Sequence, residues 1–417
     1  TDDDDDSTGV ATCDALLGAP TNVGCVFWAA DLDNAENFID DAAAGQFAVA
    51  VANTDPDRTA HVEVTINEAD PGQTPSITLV EARDIAPGEL YMFLLPRRDV
   101  DGIPTTLNTD AGPQTWLSSR AFQVASDVPV VAYQFNTLDQ QYSNDASLLL
   151  PTTSLGYDHL VVGWPSSGPI APPLGPGTRA YVTILGTEEE TEVTVTPSAD
   201  IVFGTGVPET SPGSGIGIAA GTSATFTLAP YDVLNLETVF INPFQFPPPS
   251  VPDLSGTTVS SSKRVAVFFG TDLSVVTDGI DDGSDGCCAE HLEQQILPNR
   301  AMRNDYVVSR SAPRVPADPE YDVYRIIALL PNTSVTTNLP GGDASFTLGA
   351  GQWRELKSTT GFVVQASGPL HVAQFLVQGS DAGYIGDSSL LYVPAVEQRR
   401  ERVIFTTGQG FSSHFVV

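Results

Sequence analysis

Basic residues are scarce in this sequence. The 417-residue chain has 18 Lys and Arg against 52 Asp and Glu, which gives a formal net charge of −34. A surface this acidic repels nucleic acid phosphates and anionic lipid head groups. Long apolar runs are also missing, since none approaches the roughly 18 residues that a membrane-spanning helix needs. The composition therefore predicts no nucleic-acid partner and no transmembrane segment.

Familiar catalytic motifs are missing as well. The chain has no Gly-x-Ser-x-Gly, no His-Glu-x-x-His and no phosphate-loop pattern, and its five histidines are scattered. His371 lies in an apolar strand, so we expect it to face a core. Acidic pairs are abundant, so glycoside hydrolase chemistry stays open as a weaker alternative, although nothing selects a pair. We expect a non-enzymatic protein with no cofactor except, as a further option, calcium.

Cysteines are few, and all four fall in close pairs. Cys13 and Cys25 bracket a loop of about a dozen residues, and a disulfide there would contribute roughly 3 kcal/mol. Cys287 adjoins Cys288, and we expect a tight disulfide ring between them. The alternatives are unbridged or intermolecular thiols and a zinc site with His291, for which adjacent thiolates are poor ligands. Paired cysteines predict an oxidising, extracellular compartment.

The sequence contains many short segments with alternating apolar residues, which predict strands, and they are separated by Gly, Pro, Asn and Asp. In one of them, Val62, Val64 and Ile66 share a face. Convincing amphipathic helices are scarce, and only 31–44 and 290–296 could each hold a short one. The pattern predicts an all-β protein.

A strand pattern recurs three times along the chain, at 128–135, 264–269 and 369–375. Each copy is followed by an acidic loop and an apolar stretch that ends in proline, and each is preceded by a second group of strands. The repeats divide into six half-repeats of about four strands each. Their approximate bounds are 45–100, 115–165, 178–240, 254–312, 321–358 and 360–410.

Six four-stranded units predict a six-bladed β-propeller, because stacking blades in a ring buries the faces that a lone sheet exposes. The alternative is tandem β-sandwich domains, each made of two adjacent half-repeats. In either case we expect one repeat-built β domain over 13–417, preceded by an acidic N-terminal tether over 1–12. The strand-like segment 411–417 is expected to close the ring or to pair with another molecule.

Three inserts interrupt the repeats, at 165–177, 241–252 and 273–286. The first two are rich in proline, which holds a loop extended and leaves side chains available for contact. We expect the three inserts to form the main interaction face. The aromatic residues expected to contact a partner there are Trp164, Phe244 and Phe246.

The third insert is rich in aspartate. Flexible, oxygen-rich loops suit Ca²⁺, although the spacing here is not that of an EF-hand and a solvated acidic loop is the simpler interpretation. The candidate calcium ligands are Asp278, Asp281, Asp282 and Asp285.

Three segments resemble the N-terminal domain of IgGFc-binding proteins, at 22–33, 145–156 and 287–298. The resemblance covers nearly the whole chain after the acidic start, and it looks most like versions in myxobacteria and related bacteria. It implies a secreted or outer-surface protein, with lipid attachment at the N-terminus as a further expectation. It also implies a role in binding or adhesion, with no established enzyme activity. Binding of IgG does not transfer, because no residue motif responsible for it can be matched.

The expected function is therefore binding or adhesion at the cell surface or outside the cell, with an extracellular glycan or protein as partner. The alternative is a structural subunit of an extracellular filament or appendage. It would self-associate through the strand-like edge at 411–417 or through the acidic arm.

Overall fold

The computed structural model describes residues 12–13, 21–35, 42–101, 115–138, 143–166, 178–239, 251–277 and 288–399. Within these ranges the regular structure is β, apart from five short 3₁₀ turns, which confirms the predicted all-β class. No helix among them is long and apolar enough to cross a membrane. Most of the predicted tether (1–11) and the whole segment 411–417 lie outside the described residues.

The strands form three successive units. The first unit contains β1 (Gly24–Ala29), β2 (Ala48–Asn53), β3 (Ala60–Asn67), β4 (Ile77–Ile85), β5 (Leu90–Leu94), β6 (Trp116–Ser118), β7 (Phe122–Asn136) and β8 (Asp145–Leu148). The second contains β9 (Gly156–Leu160), β10 (Ala180–Gly186), β11 (Thr191–Thr196), β12 (Ile201–Val202), β13 (Ile216–Ile218), β14 (Ala224–Leu228), β15 (Val233–Glu237), β16 (Thr258–Ser274) and β17 (Glu290–Gln295). The third contains β18 (Arg303–Val308), β19 (Asp322–Ala328), β20 (Thr333–Thr337), β21 (Ser345–Leu348), β22 (Trp353–Ser358), β23 (Phe362–Leu376) and β24 (Ser389–Tyr392).

One long strand organises each unit. In the first unit, the N-terminal part of β7 pairs with β1 and β3, and its C-terminal part pairs with β2 and β8. Strand β4 pairs with β3, and β5 pairs with β2, so they are the two end strands of the order β4-β3-β7-β2-β5. Strands β16 and β23 make the corresponding pairings in the second and third units. A register shift between β7 and β1 recurs at the same place in the other two units, and such irregularities let a strand bend.

The predicted half-repeats are not separate sheets, because the strands of 45–100 pair with the two different parts of β7, and the long strand of each unit joins two groups of strands. Strands β9 and β18 lie within the predicted half-repeats 115–165 and 254–312, but they pair with the long strands β16 and β23 of the next unit. A propeller blade is a separate sheet, so a six-bladed propeller is not confirmed. The alternative of tandem sandwich units is not excluded.

The three units share their hydrophobic cores. Alternate residues of a strand face opposite sides of the sheet, so Val182 and Ile184 of β10 face the core of the second unit. Their neighbours Tyr181 and Leu185 belong instead to the core of the first unit. In the same way, β19 contributes Val323 to the core of the second unit. The units are therefore stacked in chain order.

A buried cation joins the second and third units. The Arg325 guanidinium lies between the rings of Trp164 and Trp353, with its central carbon 4.3 and 4.1 Å from their centroids. Its Nη1 donates hydrogen bonds to the Gly163 carbonyl at 2.6 Å and to Asp253 Oδ2 at 2.7 Å. Only 4% of the Arg325 side chain is exposed. These partners compensate the cost of burying the charge.

We expect Arg325→Ala to lower the free energy of unfolding by roughly 3 kcal/mol, because removing one partner leaves Asp253 without its buried cation and opens the stack of rings. Urea denaturation of the intact protein measures this loss. Arg83→Ala is the matched control, since Arg83 also lies over a ring, that of Tyr91 at 5.0 Å, but is exposed. Equal losses in the two variants would contradict the assignment of Arg325 as a junction residue.

Candidate functional site

A cleft of about 660 Å³ opens where the first and second units meet. Strand β6 leads to this junction, because it lies between β5 and β7 in the chain but pairs with β15 of the second unit. This pairing places Trp116 and Leu117 in the cleft wall. The opposite unit contributes Thr205 and Gly206. The cleft therefore exists only because the two units are packed together.

Arg98 ties the first-unit side of the cleft together. Its Nη2 donates to the carbonyls of Asn67 at 2.9 Å and Ser119 at 2.8 Å. Burial lowers the pKa of Arg98, while the nearby Glu68 carboxylate opposes that shift. An arginine stays charged under all ordinary conditions. Arg98, whose side chain is 14% exposed, therefore holds the end of β3 against the segment before β7.

Arg97 and Arg120 are the more accessible cations of the cleft, and both are partly exposed. Arg97 Nε donates to both carboxylate oxygens of Asp99, at 2.8 and 3.1 Å. Arg120 Nη1 donates to the Asp99 carbonyl at 3.4 Å. Asp99 thus holds both side chains in place. Arg97 is thus already paired with a carboxylate, whereas the remaining N–H donors of Arg120 are suited to a bidentate bond with a partner's carboxylate.

Charge in the cleft is balanced, unlike that of the chain as a whole. Three arginines line it together with Glu68 and Asp70, whereas the whole chain has 52 acidic and 18 basic residues. An acidic group of another molecule is repelled by most of this protein's surface, but at the cleft it can contact arginine side chains. This site was not predicted from the sequence, although one signal was available: Arg97, Arg98 and Arg120 are three of only 18 basic residues and lie within 24 positions of one another.

A second polar cluster lies at the same junction but is closed to solvent. Glu293 on β17 is fully buried and accepts hydrogen bonds from Ser147 Oγ at 2.7 Å and Gln134 Nε2 at 3.1 Å. The Glu293 N–H donates to Asp145 Oδ2 at 3.1 Å. Burial, and next the Glu293 charge, raise the pKa of Asp145 well above its ordinary value. His291 is also buried, with Nε2 3.4 Å from Glu293 Oε2.

The prediction of a short helix at 290–296 is wrong, because residues Glu290–Gln295 form strand β17. The acidic residues of this segment, Glu290 and Glu293, are buried, and first-unit side chains donate hydrogen bonds to Glu293. The alternative of a zinc site would use Cys287, Cys288 and His291, and Cys287 lies outside the described residues. Among the described residues, no group of three or more His, Cys, Asp or Glu could hold a metal ion.

The predicted disulfide between Cys13 and Cys25 is confirmed, with the two Cα atoms 5.7 Å apart. Cys288 is also disulfide-bonded, but Cys287 lies outside the described residues, so the bond between them stays a prediction. The four candidate calcium ligands also lie outside the described residues: Asp278, Asp281, Asp282 and Asp285.

Trp164 requires a correction to the predicted contact face. Only 8% of this residue is exposed, its ring packs against Phe375 at 5.1 Å, and its Nε1 donates to the Val275 carbonyl at 3.0 Å. It is buried because the third unit covers it, which local sequence could not reveal. Phe244 and Phe246 lie outside the described residues, so their role stays a prediction. The prediction that His371 faces a core is confirmed.

Comparison with known proteins gives one match. The family model described as IgGFc binding protein matches residues 145–417, which is well over half of the chain. The match begins at β8 and takes in the second and third units. No curated protein and no solved structure matches the chain.

The buried carboxyl of Glu290 predicts that stability falls as pH rises from acid through neutral values. Burial, and next the charges of Asp387 and Asp145, raise the pKa of Glu290 to about 9. The folded chain therefore binds more protons than the unfolded chain between the ordinary glutamate pKa, near 4.5, and 9. Stability consequently falls as pH rises through that window, by up to about 1.4 kcal/mol per pH unit from this group.

We expect Glu290→Gln to flatten the fall in unfolding free energy between pH 6 and pH 8, as measured by urea denaturation. Glutamine does not titrate, and its amide oxygen can still accept the bond that the His291 N–H donates to Glu290 at 3.1 Å. Glu192→Gln, at an exposed position, serves as the control. Equal slopes for the wild type and Glu290→Gln would contradict the prediction.

Proposed function

Because the chain belongs to the IgGFc binding protein family, we propose that it is an extracellular binding protein whose inter-unit cleft contacts a partner bearing exposed carboxylates. The observation that carries the proposal is the presence of Arg97 and Arg120, partly exposed, in the wall of that cleft. On a chain of net charge −34, they offer an acidic partner a place to bind.

The chemistry of the cleft suits a carboxylate partner. A planar guanidinium forms two parallel hydrogen bonds with a carboxylate, which gives orientation as well as affinity. Trp116, partly exposed in the same wall, adds a flat apolar surface beside the cations. Tryptophan and arginine are the residue types that supply much of the binding energy at protein interfaces.

A protein partner is favoured over a glycan, because the family suggests protein partners. We therefore propose an acidic protein segment, with Asp or Glu side chains in the cleft. An acidic glycan could use the same guanidinium groups and stack a sugar on Trp116. It is the alternative outcome of the experiment below.

We infer a non-enzymatic role. The family is one of binding proteins and is not known for enzymatic activity. Glu293 and His291 of the polar cluster at the junction are fully buried, so a substrate would not reach them. This burial makes the glycan hydrolase alternative less suitable.

An extracellular location is supported by the Cys13–Cys25 disulfide and by the family, whose domains are typically extracellular. Lipid attachment at the N-terminus and resemblance to myxobacterial proteins in particular stay predictions. The alternative of a filament subunit depended on the segment 411–417 or on the acidic arm, and 411–417 and residues 1–11 of the arm lie outside the described residues.

We also infer that the binding scaffold is a stack of three tandem units rather than a ring of six blades. Two observations support this: the four-stranded groups share one long strand in each unit, and the cores are shared between consecutive units. A stack presents its junctions as binding clefts, much as solenoid proteins do.

The intact protein should bind poly-L-glutamate, a probe for acidic protein segments, more tightly than polygalacturonate, a probe for acidic glycans. Biolayer interferometry in about 0.15 M salt measures this, since salt at that level screens the general negative charge beyond about 8 Å. We expect Arg97→Gln with Arg120→Gln to weaken poly-L-glutamate binding about tenfold, which corresponds to about 1.4 kcal/mol.

The matched control is Arg83→Gln with Arg354→Gln, which removes the same charge from exposed positions elsewhere. Equal weakening by both double variants would show that general charge, and not the cleft, is responsible. Tighter binding of polygalacturonate would replace the protein partner with a glycan. Melting curves of each variant confirm that folding is intact.

A further inference from the structure

Two carboxylates of the inter-unit cleft are available to a ligand. Glu68 and Asp70 follow strand β3, line the cleft and are exposed. Glu68 Oε2 lies 3.6 Å from Arg98 Nη1, beyond the usual length of a hydrogen bond, and 52% of the Glu68 side chain is exposed. The Asp70 carboxylate has no hydrogen bond or ion pair with another side chain in the described part of the chain.

The arginines of the cleft differ in how far their donors are already used. Arg97 is paired with the Asp99 carboxylate, whose side chain is 9% exposed. Arg98 is 14% exposed and donates to two backbone carbonyls. Arg120 is partly exposed, and its guanidinium makes a single hydrogen bond to a described residue, from Nη1 to the Asp99 carbonyl at 3.4 Å. Arg120 is therefore the cation of the cleft with the most donors left for a ligand.

A ligand in the cleft thus meets charges of both signs. A wholly acidic segment that bonded Arg120 would bring its other carboxylates towards Glu68 and Asp70. Like charges brought together in this way weaken binding, and natural interfaces use them to exclude wrong partners. A segment that also has a basic side chain avoids this repulsion and gains an attraction.

Trp116 favours the same kind of segment. It is partly exposed in the cleft wall. A cation over the face of an indole ring is attracted to it, and this protein uses that contact internally, where Arg325 lies 4.3 and 4.1 Å from the ring centroids of Trp164 and Trp353. The cleft therefore offers a basic side chain an aromatic surface as well as carboxylates.

The size of the cleft allows both signs of charge to enter together. Its volume of about 660 Å³ lies in the range of sites that hold a small organic ligand. In an extended segment, side chains two positions apart are on the same side and roughly 7 Å apart. An acidic and a basic side chain at that spacing fit a cleft of this volume.

A bound metal ion is a poorer counter-charge for these carboxylates. A calcium ion takes about six to eight oxygen ligands, whereas Glu68 and Asp70 are two side chains. Among the described residues, no group of three or more His, Cys, Asp or Glu could hold a metal ion. The cation that suits them is therefore one that the partner brings.

From these contacts, and resting on the proposed function, we propose that the cleft selects a protein segment of mixed charge, in which a basic side chain lies close in sequence to an acidic one. The acidic side chain bonds the remaining N–H donors of Arg120. The basic side chain contacts Glu68 and Asp70 beside the ring of Trp116.

Two synthetic peptides of equal length test the proposal on the intact protein, by biolayer interferometry in about 0.15 M salt. The mixed peptide repeats Glu-Ser-Lys-Ser, and the acidic peptide repeats Glu-Ser-Glu-Ser. We expect the mixed peptide to bind about tenfold more tightly. Glu68→Gln with Asp70→Asn should weaken binding of the mixed peptide about tenfold and should not weaken binding of the acidic one, which has no cation for these carboxylates to contact.

The matched control is Glu192→Gln with Asp158→Asn, which removes the same charge from exposed positions on the sheet of the second unit. It should leave binding of the mixed peptide unchanged, because that peptide has no net charge. The proposal is overturned by tighter binding of the acidic peptide. It is also overturned if Glu68→Gln with Asp70→Asn does not weaken binding of the mixed peptide, or if the control weakens it equally.

Arg97→Gln with Arg120→Gln distinguishes failure of this proposal from failure of the proposed function. If it weakens binding of the acidic peptide while Glu68→Gln with Asp70→Asn changes binding of neither peptide, the cleft binds carboxylates but does not select mixed charge, and this proposal alone is wrong. If it weakens binding of neither peptide, both are wrong. Circular dichroism of each variant establishes that its fold is retained.

Discussion

The packing of one unit's outer face into the core of the unit before it is the interaction on which this structure depends. A curled sheet with apolar side chains on both faces cannot bury both of them by itself. Tyr181 and Phe268 therefore complete the first core, and Val323 and Phe375 complete the second. Each core contains residues far apart in sequence, so neither the first nor the second unit has a complete core of its own.

The same packing positions the polar features of the molecule. Glu293 tolerates full burial because Gln134 and Ser147 of the preceding unit donate to it. Arg325 is held between aromatic rings of two different units. The candidate cleft lies at a junction for the same reason. Stacking of the units therefore positions both the residues of the candidate cleft and the buried charged groups.

Local patterns in the sequence predicted the strands, their alternation and the threefold recurrence, because these depend on neighbouring residues. The Cys13–Cys25 bond was also local and was confirmed. What the sequence could not predict depends on distant partners. Trp164 was expected at a surface beside a proline-rich loop, but the third unit covers it. The cleft was missed because its arginines come from either side of β6, whose strand partner belongs to another unit.

Differential scanning calorimetry of the intact protein tests the shared cores most directly. If consecutive units complete one another, the chain unfolds in a single transition, and the calorimetric enthalpy equals the van't Hoff enthalpy. Independent units would instead melt as separate transitions, with a calorimetric enthalpy well above the van't Hoff value. That second result would contradict the stacked architecture.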